Sequence, residues 1–417
     1  MRGDLSSGPS HGGGARAIVV GGSMGGLFTA LLLRRAGWRV DVFERIGAEL
    51  SGRGAGIVTH TELFDILHRV GIDRDMARVG VVVAGRRVLA RDGTIAGELA
   101  LPQVLTSWGH LYGLLRRALP GRHYHHGRSL VRVEEGGSTV VAHFSDGSRA
   151  EADLLIGADG IFSTVRAQLA PAIVPSYVGY IAWRGLAEEA QLSTATRAAL
   201  CDHFAFSLPA GEQMLGYPVA GPGEAMERGQ RRFNFVWYRP AATDALGDLL
   251  LDVDGIAHPL SIPPHKIRPE VTAALRQDAR RLLAPQFAEV VERTAQPFIQ
   301  AIQDLAAPRM VLGRRTVILG DAAFVARPHV GMGVTKAAAD AQALASALAD
   351  EADVERALAR FEAERLRYGA AVIRRARELG AYMQAQVLTE EERVLAERHR
   401  RPEAVMAETA VATGIAA

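Results

Sequence analysis

The chain has 417 residues, of which 48% are hydrophobic, and its formal net charge is +2 at pH 7. This length predicts two or three domains with a large core, and the near-neutral charge argues against a nucleic-acid-binding protein. The single cysteine, Cys201, excludes an internal disulfide and a cysteine-rich zinc site. Residues 1–15 are rich in glycine and serine and lack an apolar stretch, which predicts a disordered tail and no signal peptide. Because no apolar run approaches the length of a membrane span, we expect a cytoplasmic protein that binds no membrane.

The first elements form a strand–helix–strand unit. Ala17–Val20 is an apolar run that is typical of a buried strand. Gly25–Arg35 has the leucine- and alanine-rich composition of a helix, which Gly37 would end. Arg39–Phe43 is the next strand. A helix that joins two strands in this way indicates an α/β domain.

The turn between the first strand and the helix carries a dinucleotide-binding motif with one departure. Gly21 and Gly26 occupy the first and third positions of G-x-G-x-x-G, whereas the middle position is Ser23. Glu44 ends the second strand, close to the position roughly 20 residues beyond the first glycine where an acid binds a ribose hydroxyl. The free N–H groups at the helix N-terminus would bind a pyrophosphate. The alternative is an ordinary glycine-rich turn of an α/β protein.

The middle of the chain is rich in strands, and helices return towards the end. Turn residues at 91–94 and 145–147 indicate hairpins, and residues 177–239 are strand-like and rich in aromatic side chains. The predicted elements are a hairpin over Val81–Leu99, a helix over Leu111–Leu119, strands within Val131–Ile156 and Tyr177–Arg239, helical periodicity over Val271–Thr294, a buried strand over Thr316–Leu319 and helices beyond it. Strand–helix units at both ends predict an α/β fold in which a discontinuous nucleotide-binding domain holds an inserted sheet domain.

Two further motifs each follow a buried strand. Residues 153–166, DLLIGADGIFSTVR, lead into a turn at Asp159. Residues 317–333, VILGDAAFVARPHVGMG, place Asp321 at the end of a strand, where it could accept hydrogen bonds from polyol hydroxyls. The glycines of the GMG sequence open the backbone beside a flat ligand, and the helix that begins there directs its positive end at that ligand. This arrangement suits a reduced flavin, whose pyrimidine ring carries negative charge.

The order of the three motifs resembles that of the single-component flavoprotein aromatic hydroxylases of the p-hydroxybenzoate hydroxylase fold. The resemblance extends from Ala17 to about Tyr368. Within that family, four segments are most similar to the 2,6-dihydroxypyridine 3-monooxygenase branch: Tyr180–Gly185, Phe235–Arg239, Pro297–Ile302 and Gly320–His329.

The resemblance implies a Rossmann-like FAD-binding domain with an inserted mixed β-sheet substrate domain and a helical C-terminus. It implies that NAD(P)H reduces FAD and that a flavin C4a-hydroperoxide, formed with O2, hydroxylates a small electron-rich aromatic or N-heteroaromatic ring, without a metal and in a homodimer. The implied division is an FAD-binding domain of residues 16–75, 100–176 and 298–368, a substrate domain of residues 76–99 and 177–297, and a C-terminal helical segment of residues 369–417.

The family's motifs also imply site residues. Those expected at the cofactor are Gly21, Ser23, Met24, Gly26, Glu44, Arg45, Arg53, Tyr112, Asp159, Arg166, Asp321, Pro328, Gly331, Met332, Gly333 and Val334. Asp159 and Arg166 are expected to link flavin and nicotinamide. Those expected at the reacting ring are Pro328, His329, His203 and Tyr217, of which the last two are candidates to bind or deprotonate a phenol.

Some positions depart from the family's pattern or allow another interpretation. Phe324 and Thr335 stand where many relatives have histidine and asparagine, and Tyr112 stands where an arginine often contacts FAD. Lys336 is one of two lysines in an arginine-rich chain, which indicates either a point charge near the flavin or chance. Residues 123–126, HYHH, resemble a metal cluster, but no neighbouring ligand in the sequence completes a set.

Two other functions remain open at this stage. One is another flavin chemistry on the same fold, such as epoxidation or hydroxylation of a larger polyketide-like or lipid substrate. The other is a binding protein of this fold without redox activity.

Overall fold

The computed structural model describes residues 14–50, 56–72, 75–383 and 389–412. Within these ranges the chain forms 19 strands and 13 α-helices. The strands are β1 (Arg16–Val20), β2 (Arg39–Phe43), β3 (Gly56–Val58), β4 (Val81–Val83), β5 (Gly85–Leu89), β6 (Ile95–Leu99), β7 (Gln103–Ser107), β8 (Tyr124–His125), β9 (Leu130–Gly136), β10 (Thr139–Phe144), β11 (Arg149–Ala152), β12 (Leu154–Gly157), β13 (Ser176–Glu188), β14 (His203–Ser207), β15 (Gln213–Val219), β16 (Arg232–Pro240), β17 (Phe298–Ala306), β18 (Thr316–Ile318) and β19 (Phe324–Val325). The helices are α1 (Met24–Arg35), α2 (Thr61–Arg69), α3 (Met76–Val79), α4 (Trp108–Ala118), α5 (Thr164–Leu169), α6 (Thr194–Leu200), α7 (Thr243–Leu249), α8 (Pro269–Leu282), α9 (Pro285–Arg293), α10 (Gly333–Asp350), α11 (Val354–Gly380), α12 (Glu390–Arg398) and α13 (Pro402–Glu408).

A five-stranded parallel sheet carries the N-terminal motif. Its strand order is β18-β12-β1-β2-β8, and β1 pairs along its length with β2 and β12. The strand β12 is buried throughout, as expected for an apolar run that is covered on both faces. Helix α1 packs beside α10. The predicted strand–helix–strand unit is confirmed, and α1 begins at Met24 because Ser23 takes the extended conformation of an N-cap.

A mixed eight-stranded sheet forms the other large layer, in the order β19-β17-β13-β16-β15-β14-β5-β6. Helices α8 and α9 cover one face, where Trp183, Phe233 and Phe287 belong to one apolar cluster. Tyr180 and Tyr238 belong to a second cluster on the other face. Because side chains of a strand alternate between faces, the aromatic stretch divides into these two sets.

Two details of the predicted elements differ from the structure. The predicted hairpin over Val81–Leu99 is formed only by β5 and β6, since β4 pairs with β7 in a separate sheet. The chain changes sheets at Ala84, whose N–H donates to the carbonyl of Asp202 at 3.0 Å. The predicted FAD-binding segment from residue 298 begins with β17, which pairs with β13 in the eight-stranded sheet. The domain division as a whole stays a prediction.

The C-terminal part is helical, as predicted. Helix α11 is 27 residues long and packs against α10, and α13 returns to β5 and β6. None of the described helices combines the length and the apolar character that a membrane span requires.

Candidate active site

Two cavities of about 240 Å³ each contain most of the predicted motif residues. The nucleotide cavity lies at the carboxyl ends of β1, β2 and β12, the place where open α/β sheets bind ligands. The ring cavity lies between the third motif and the eight-stranded sheet. The nucleotide cavity is lined by Gly21, Ser23, Glu44, Arg45 and Asp159, among others. The ring cavity is lined by Tyr217, Asp321, Pro328, Gly331, Gly333 and Val334, and by other residues of the sheet.

The glycine loop has the shape that a phosphate site needs. Gly21 has φ +103°, which favours glycine, and a Cβ on Gly26 would collide with the Gly21 carbonyl oxygen. Helix α1 can therefore begin directly against the loop. Ser23 precedes the helix, but its hydroxyl makes no capping hydrogen bond. The hydroxyl and the N–H groups of the first turn are thus available to an anion, and no acidic residue lies in that turn.

The carboxylate of Glu44 is held in place at the end of β2. Its two oxygens accept hydrogen bonds from the N–H groups of Gly22 at 2.8 Å and Ile46 at 2.9 Å. A carboxylate can accept about four hydrogen bonds, so two acceptor sites remain for the hydroxyls of a ribose.

Asp159 presents a similar open acceptor after β12. Its Oδ2 accepts from the N–H groups of Thr164 at 2.7 Å and Val165 at 3.2 Å. Its Oδ1 is buried and has no hydrogen-bond partner among the described residues. Burial raises the pKa of Asp159, although hydrogen bonds from Ser163 and the main chain oppose this effect. A ligand in the nucleotide cavity could therefore reach a carboxyl oxygen that the protein leaves unpaired.

The third motif places a carboxylate and an ammonium beside the ring cavity. The side chain of Asp321 is 52% exposed, whereas that of Lys336 is fully buried, and Lys336 Nζ lies 3.6 Å from Asp321 Oδ1. The Lys336 ammonium has no hydrogen-bond partner in the described part of the chain. Met332, the N-cap of α10, offers no side-chain hydrogen bond, and the first turn holds no acid. This end of α10 is therefore suited to a ligand that carries negative charge.

The sheet side of the ring cavity contributes a cation and two hydroxyls. Arg184 on β13 lines the cavity and makes no ion pair or hydrogen bond with any described residue, and its Nε is buried. Tyr217 and Tyr238 line the same cavity. Burial raises the pKa of both phenols, that of Tyr238 to about 12, so both stay protonated at neutral pH. Arg184 and the two phenols can thus donate hydrogen bonds to a ligand in the cavity.

Comparison with known proteins agrees with this geometry. Residues 15–214 and 264–376 match the family model described as FAD binding domain. The chain is 34% identical to 2,6-dihydroxypyridine 3-monooxygenase from Paenarthrobacter nicotinovorans, over 88% of this chain and 91% of the relative. The structure of 2,6-dihydroxypyridine-3-hydroxylase from Arthrobacter nicotinovorans superposes with a TM-score of 0.83 at 33% identity, over 89% of this chain and 93% of that one. The chain belongs to this family of FAD-dependent monooxygenases.

A more distant flavoprotein shares the fold. Klebsiella pneumoniae HpxO, complexed with FAD and uric acid, superposes with a TM-score of 0.74 at 23% identity, over 95% of this chain and 93% of that one. The predicted p-hydroxybenzoate hydroxylase type of fold is confirmed.

The residues of both cavities fit FAD. The glycine loop can pack closely against its neighbours only because Gly21 and Gly26 lack Cβ atoms, and Glu44 has free acceptor sites. The Lys336 ammonium, which lies near Asp321 but makes no hydrogen bond with a described residue, and the uncapped start of α10 suit the negative charge of a reduced flavin.

Several residues predicted at the site line neither cavity. Arg166 is buried, and its guanidinium donates to the carbonyls of Ile161, Ile173 and Ala322. It therefore joins the second motif to the third, and its role at the flavin and the nicotinamide stays a prediction. The Tyr112 hydroxyl donates to Glu49 at 2.7 Å, and its ring stacks on that of Trp108. Trp108, and not Tyr112, lines the nucleotide cavity.

The two histidines predicted at the ring also lie elsewhere. His203 begins β14, and alternation along the strand directs the next residue, Phe204, into the ring cavity. The His203 side chain does not line the cavity, and burial together with the charge of Arg87 lowers its pKa. The His329 ring is hydrogen-bonded to the Tyr180 hydroxyl at 2.8 Å, and burial holds the pKa of His329 well below its usual value. His329 is therefore a neutral buried residue, whereas Pro328 does line the cavity.

The other predicted positions either line neither cavity or fall outside the described residues, and their roles at the cofactor stay predictions. Met24 and Met332 are buried in the core, and Gly26 supports the packing of α1. Arg53 lies outside the described residues.

The histidines of residues 123–126 contact separate carboxylates. His123 and His125 each lie 3.1 Å from Asp41, and His126 lies 3.3 Å from Glu49. No group of three or more side chains suited to a metal ion occurs in the described ranges.

Sequence reasoning missed Arg184 and Tyr238 as residues of the ring cavity. The signal for Arg184 was present, because an arginine inside the apolar strand segment YIAWRG needs a reason to be there. Tyr238 carries no local signal, since only the pairing of β16 with β13 and β15 sets the direction of its side chain.

Proposed function

We propose that this protein uses FAD, NAD(P)H and O2 to hydroxylate a small N-heteroaromatic ring that binds as an anion. The observation that supports this proposal most directly is the guanidinium of Arg184, which has no partner among the described residues and lines the same cavity as Gly331 and Gly333 of the third motif. A cation without a protein partner in a half-buried place is costly unless a ligand supplies the negative charge.

FAD would be held by residues of all three motifs. Glu44 would accept from ribose hydroxyls, and Ser23 with the start of α1 would bind the pyrophosphate. Asp321 would accept from the ribityl chain, and Lys336 with the start of α10 would lie beside the flavin ring. When bound, FAD supplies electron transfer from NAD(P)H and activation of O2, chemistry that protein side chains lack. The reaction converts one ring, one O2 and one NAD(P)H with a proton into the hydroxylated ring, water and NAD(P)+.

The protein's own part is to bind and orient the ring. Arg184 would hold an oxyanion of the ring, and Tyr217 would donate a hydrogen bond to it. Because burial raises the pKa of Tyr217, this phenol is better suited to donate than to serve as the base. The negative charge of a bound oxyanion raises the electron density at the ring carbon that is oxidised. Apolar residues of the same wall, including Phe204, Leu215 and Val236, exclude water.

The size of the ring cavity favours a single ring. Its volume of about 240 Å³, part of which the flavin ring would take, lies below the roughly 300–1,000 Å³ of pockets for drug-sized ligands. A polycyclic or lipid substrate would need a larger space. The choice between NADH and NADPH, a homodimer and a cytoplasmic location are further parts of this proposal.

A panel of ring compounds tests the proposal. The purified protein, loaded with FAD, is mixed with O2 and NADH or NADPH and with 2,6-dihydroxypyridine, 6-hydroxynicotinate, uric acid, a simple phenol or a terpenoid alkene. We expect a hydroxypyridine to accelerate NAD(P)H oxidation and to gain one oxygen atom by mass spectrometry. Oxygen gain by the alkene or by polycyclic phenols alone would contradict the proposed substrate class. A protein that binds FAD but oxidises NAD(P)H with none of these compounds would indicate a binding protein without redox activity instead.

A further inference from the structure

The C-terminal segment, residues 402–410, contributes a wall of the ring cavity. Val405, Met406 and Ala410 are buried in the same apolar cluster as Phe204 and Tyr217. Thr409 and Ala410 line the cavity itself. The segment thus comes from the far end of the chain to meet the residues expected around the ring.

This wall touches the loop of the third motif directly. The N–H of Ala410 donates to the carbonyl of His329 at 2.7 Å. A Cβ on Gly331 would lie 2.8 Å from the Cβ of Ala410, so only glycine allows this approach. Ala410 has φ +53°, a left-handed conformation that is unfavourable for alanine and persists only where neighbours hold it. Other residues must therefore hold residues 402–410 in this conformation.

Arg86 on β5 is one of the residues that fix this segment, beside Arg375 and Arg398, which donate to Glu408. The Arg86 side chain is among the largest that are fully buried, with the residue 1% exposed, and it makes no ion pair with a described carboxylate. Its guanidinium donates to the carbonyls of Met406 at 2.7 Å and Thr409 at 2.6 Å, and to the side-chain oxygen of Gln103 at 2.9 Å. Carbonyls at a helix C-terminus lack partners within the helix and attract a cation. Burial lowers the pKa of Arg86 to about 10, so the guanidinium stays charged at neutral pH.

Burial of the Arg86 guanidinium costs free energy that the capping of the short helix α13 alone does not explain. Burying a cation costs hydration free energy. Carbonyl oxygens, which carry only partial charge, compensate this cost less well than a carboxylate would. Arg86 binds the carbonyls of Met406 and Thr409, just where the chain reaches the ring cavity at Thr409 and Ala410. We propose that Arg86 is a positioning residue that holds residues 402–410 as a wall of the ring cavity, and that this wall limits the size of the ring and excludes water from it.

The consequence for catalysis rests on the proposed function. With the wall in place, one O2 and one NAD(P)H give hydroxylated ring and water. With the wall released, the same O2 and NAD(P)H with a proton give NAD(P)+ and hydrogen peroxide, because water and a displaced ring compete with productive oxygen transfer. A small displacement of a positioned substrate is enough to reduce rate by roughly 100-fold.

Arg86→Met, Arg86→Lys and Arg87→Met test this inference in the FAD-loaded enzyme. Arg87 is the matched control: it neighbours Arg86 on β5, but it pairs with Glu98 and donates to the carbonyl of Ala199 at 2.8 Å, away from the wall. In Arg86→Met we expect faster amide hydrogen exchange in residues 402–410. With the ring substrate we expect a larger share of peroxide per NAD(P)H and a KM raised by roughly tenfold, with FAD content unchanged. Arg86→Lys should recover part of both effects, and Arg87→Met should show neither.

The outcomes separate the wall from the proposed function. Exchange is measured without any ring compound, so it reports on the wall even if no panel compound is hydroxylated. A wild-type rate of amide hydrogen exchange in Arg86→Met would refute the positioning role of Arg86. Faster exchange together with a wild-type yield of hydroxylated ring per NAD(P)H would refute the role of residues 402–410 as a wall of the ring cavity. Should Arg86→Met fail to fold, Arg86→Lys carries the test, because its ammonium keeps the charge but cannot span all the acceptors that the guanidinium reaches. It should show faster exchange in residues 402–410 and more peroxide than the wild type, and wild-type values of both would equally refute the inference.

Discussion

Replacing Arg184 by methionine should weaken the binding of an anionic ring and leave the protein folded. The guanidinium has no partner among the described residues, so its loss leaves no carboxylate buried alone. The free energy of unfolding should therefore change by less than about 1 kcal/mol. A hydrogen bond to a charged group contributes about 1.5–3 kcal/mol, and each 1.4 kcal/mol is a tenfold change in affinity. The Kd of the anionic ring should rise by roughly 10- to 150-fold.

The assay measures Kd from the change in flavin absorbance when a ring compound is added. The anion of 2,6-dihydroxypyridine is compared with the neutral 2,6-dimethoxypyridine, which has a similar ring without the charge. We expect Arg184→Met to lose affinity for the first and to bind the second as the wild type does, and Arg184→Lys to retain part of the preference. Arg232→Met is the control, because Arg232 lies on the neighbouring strand β16 and pairs with Glu188 outside the cavity.

Equal losses for both compounds would show that Arg184 contributes packing and not charge. Unchanged affinity for both would remove Arg184 from the substrate site. Either result would refute the inference that the ring binds as an anion, while the FAD-binding assignment would stand.

Four further predictions concern the cofactor and stability. Asp321→Ala should lower FAD occupancy, measured by flavin absorbance, because no other carboxylate of the described residues lines the ring cavity; full occupancy would exclude its role at the ribityl chain. Ser23→Gly should retain FAD, since it restores the common motif, and loss of flavin would show that the hydroxyl is a required phosphate ligand. Tyr180→Phe leaves the His329 ring nitrogen unpaired, so thermal unfolding should show a loss of about 1–3 kcal/mol with FAD binding unchanged, and an unaltered Tm would contradict this. Burial alone would raise the pKa of Glu408, but hydrogen bonds from its arginine and histidine neighbours lower it to about 2. Its stabilising contribution is therefore present above pH 4.5 and lost as the pH falls towards 2, and urea titrations of Glu408→Gln should show a flatter pH dependence in that range.

The sequence by itself determined the parts of this protein that depend on neighbours along the chain. The turn from Gly21 to Gly26, the acid at Glu44 and the strand end at Asp321 follow from glycine conformation, helix ends and strand length. Each of these requires only a short stretch of sequence, and each lies at one of the two cavities. The family resemblance of the three motifs then led to the correct fold and cofactor.

The tertiary structure decided which side chains face the ring. His203 and Phe204 are adjacent, yet strand alternation sends only Phe204 into the cavity. Arg166 has the residue type of a ligand contact, but main-chain carbonyls of distant segments take its donors. Arg86 meets the carbonyl of Met406 across 320 positions of sequence. A sequence pattern specifies the period of an element, whereas the face that meets a ligand is set by pairing with strands and helices far along the chain, and that pairing has no local signature.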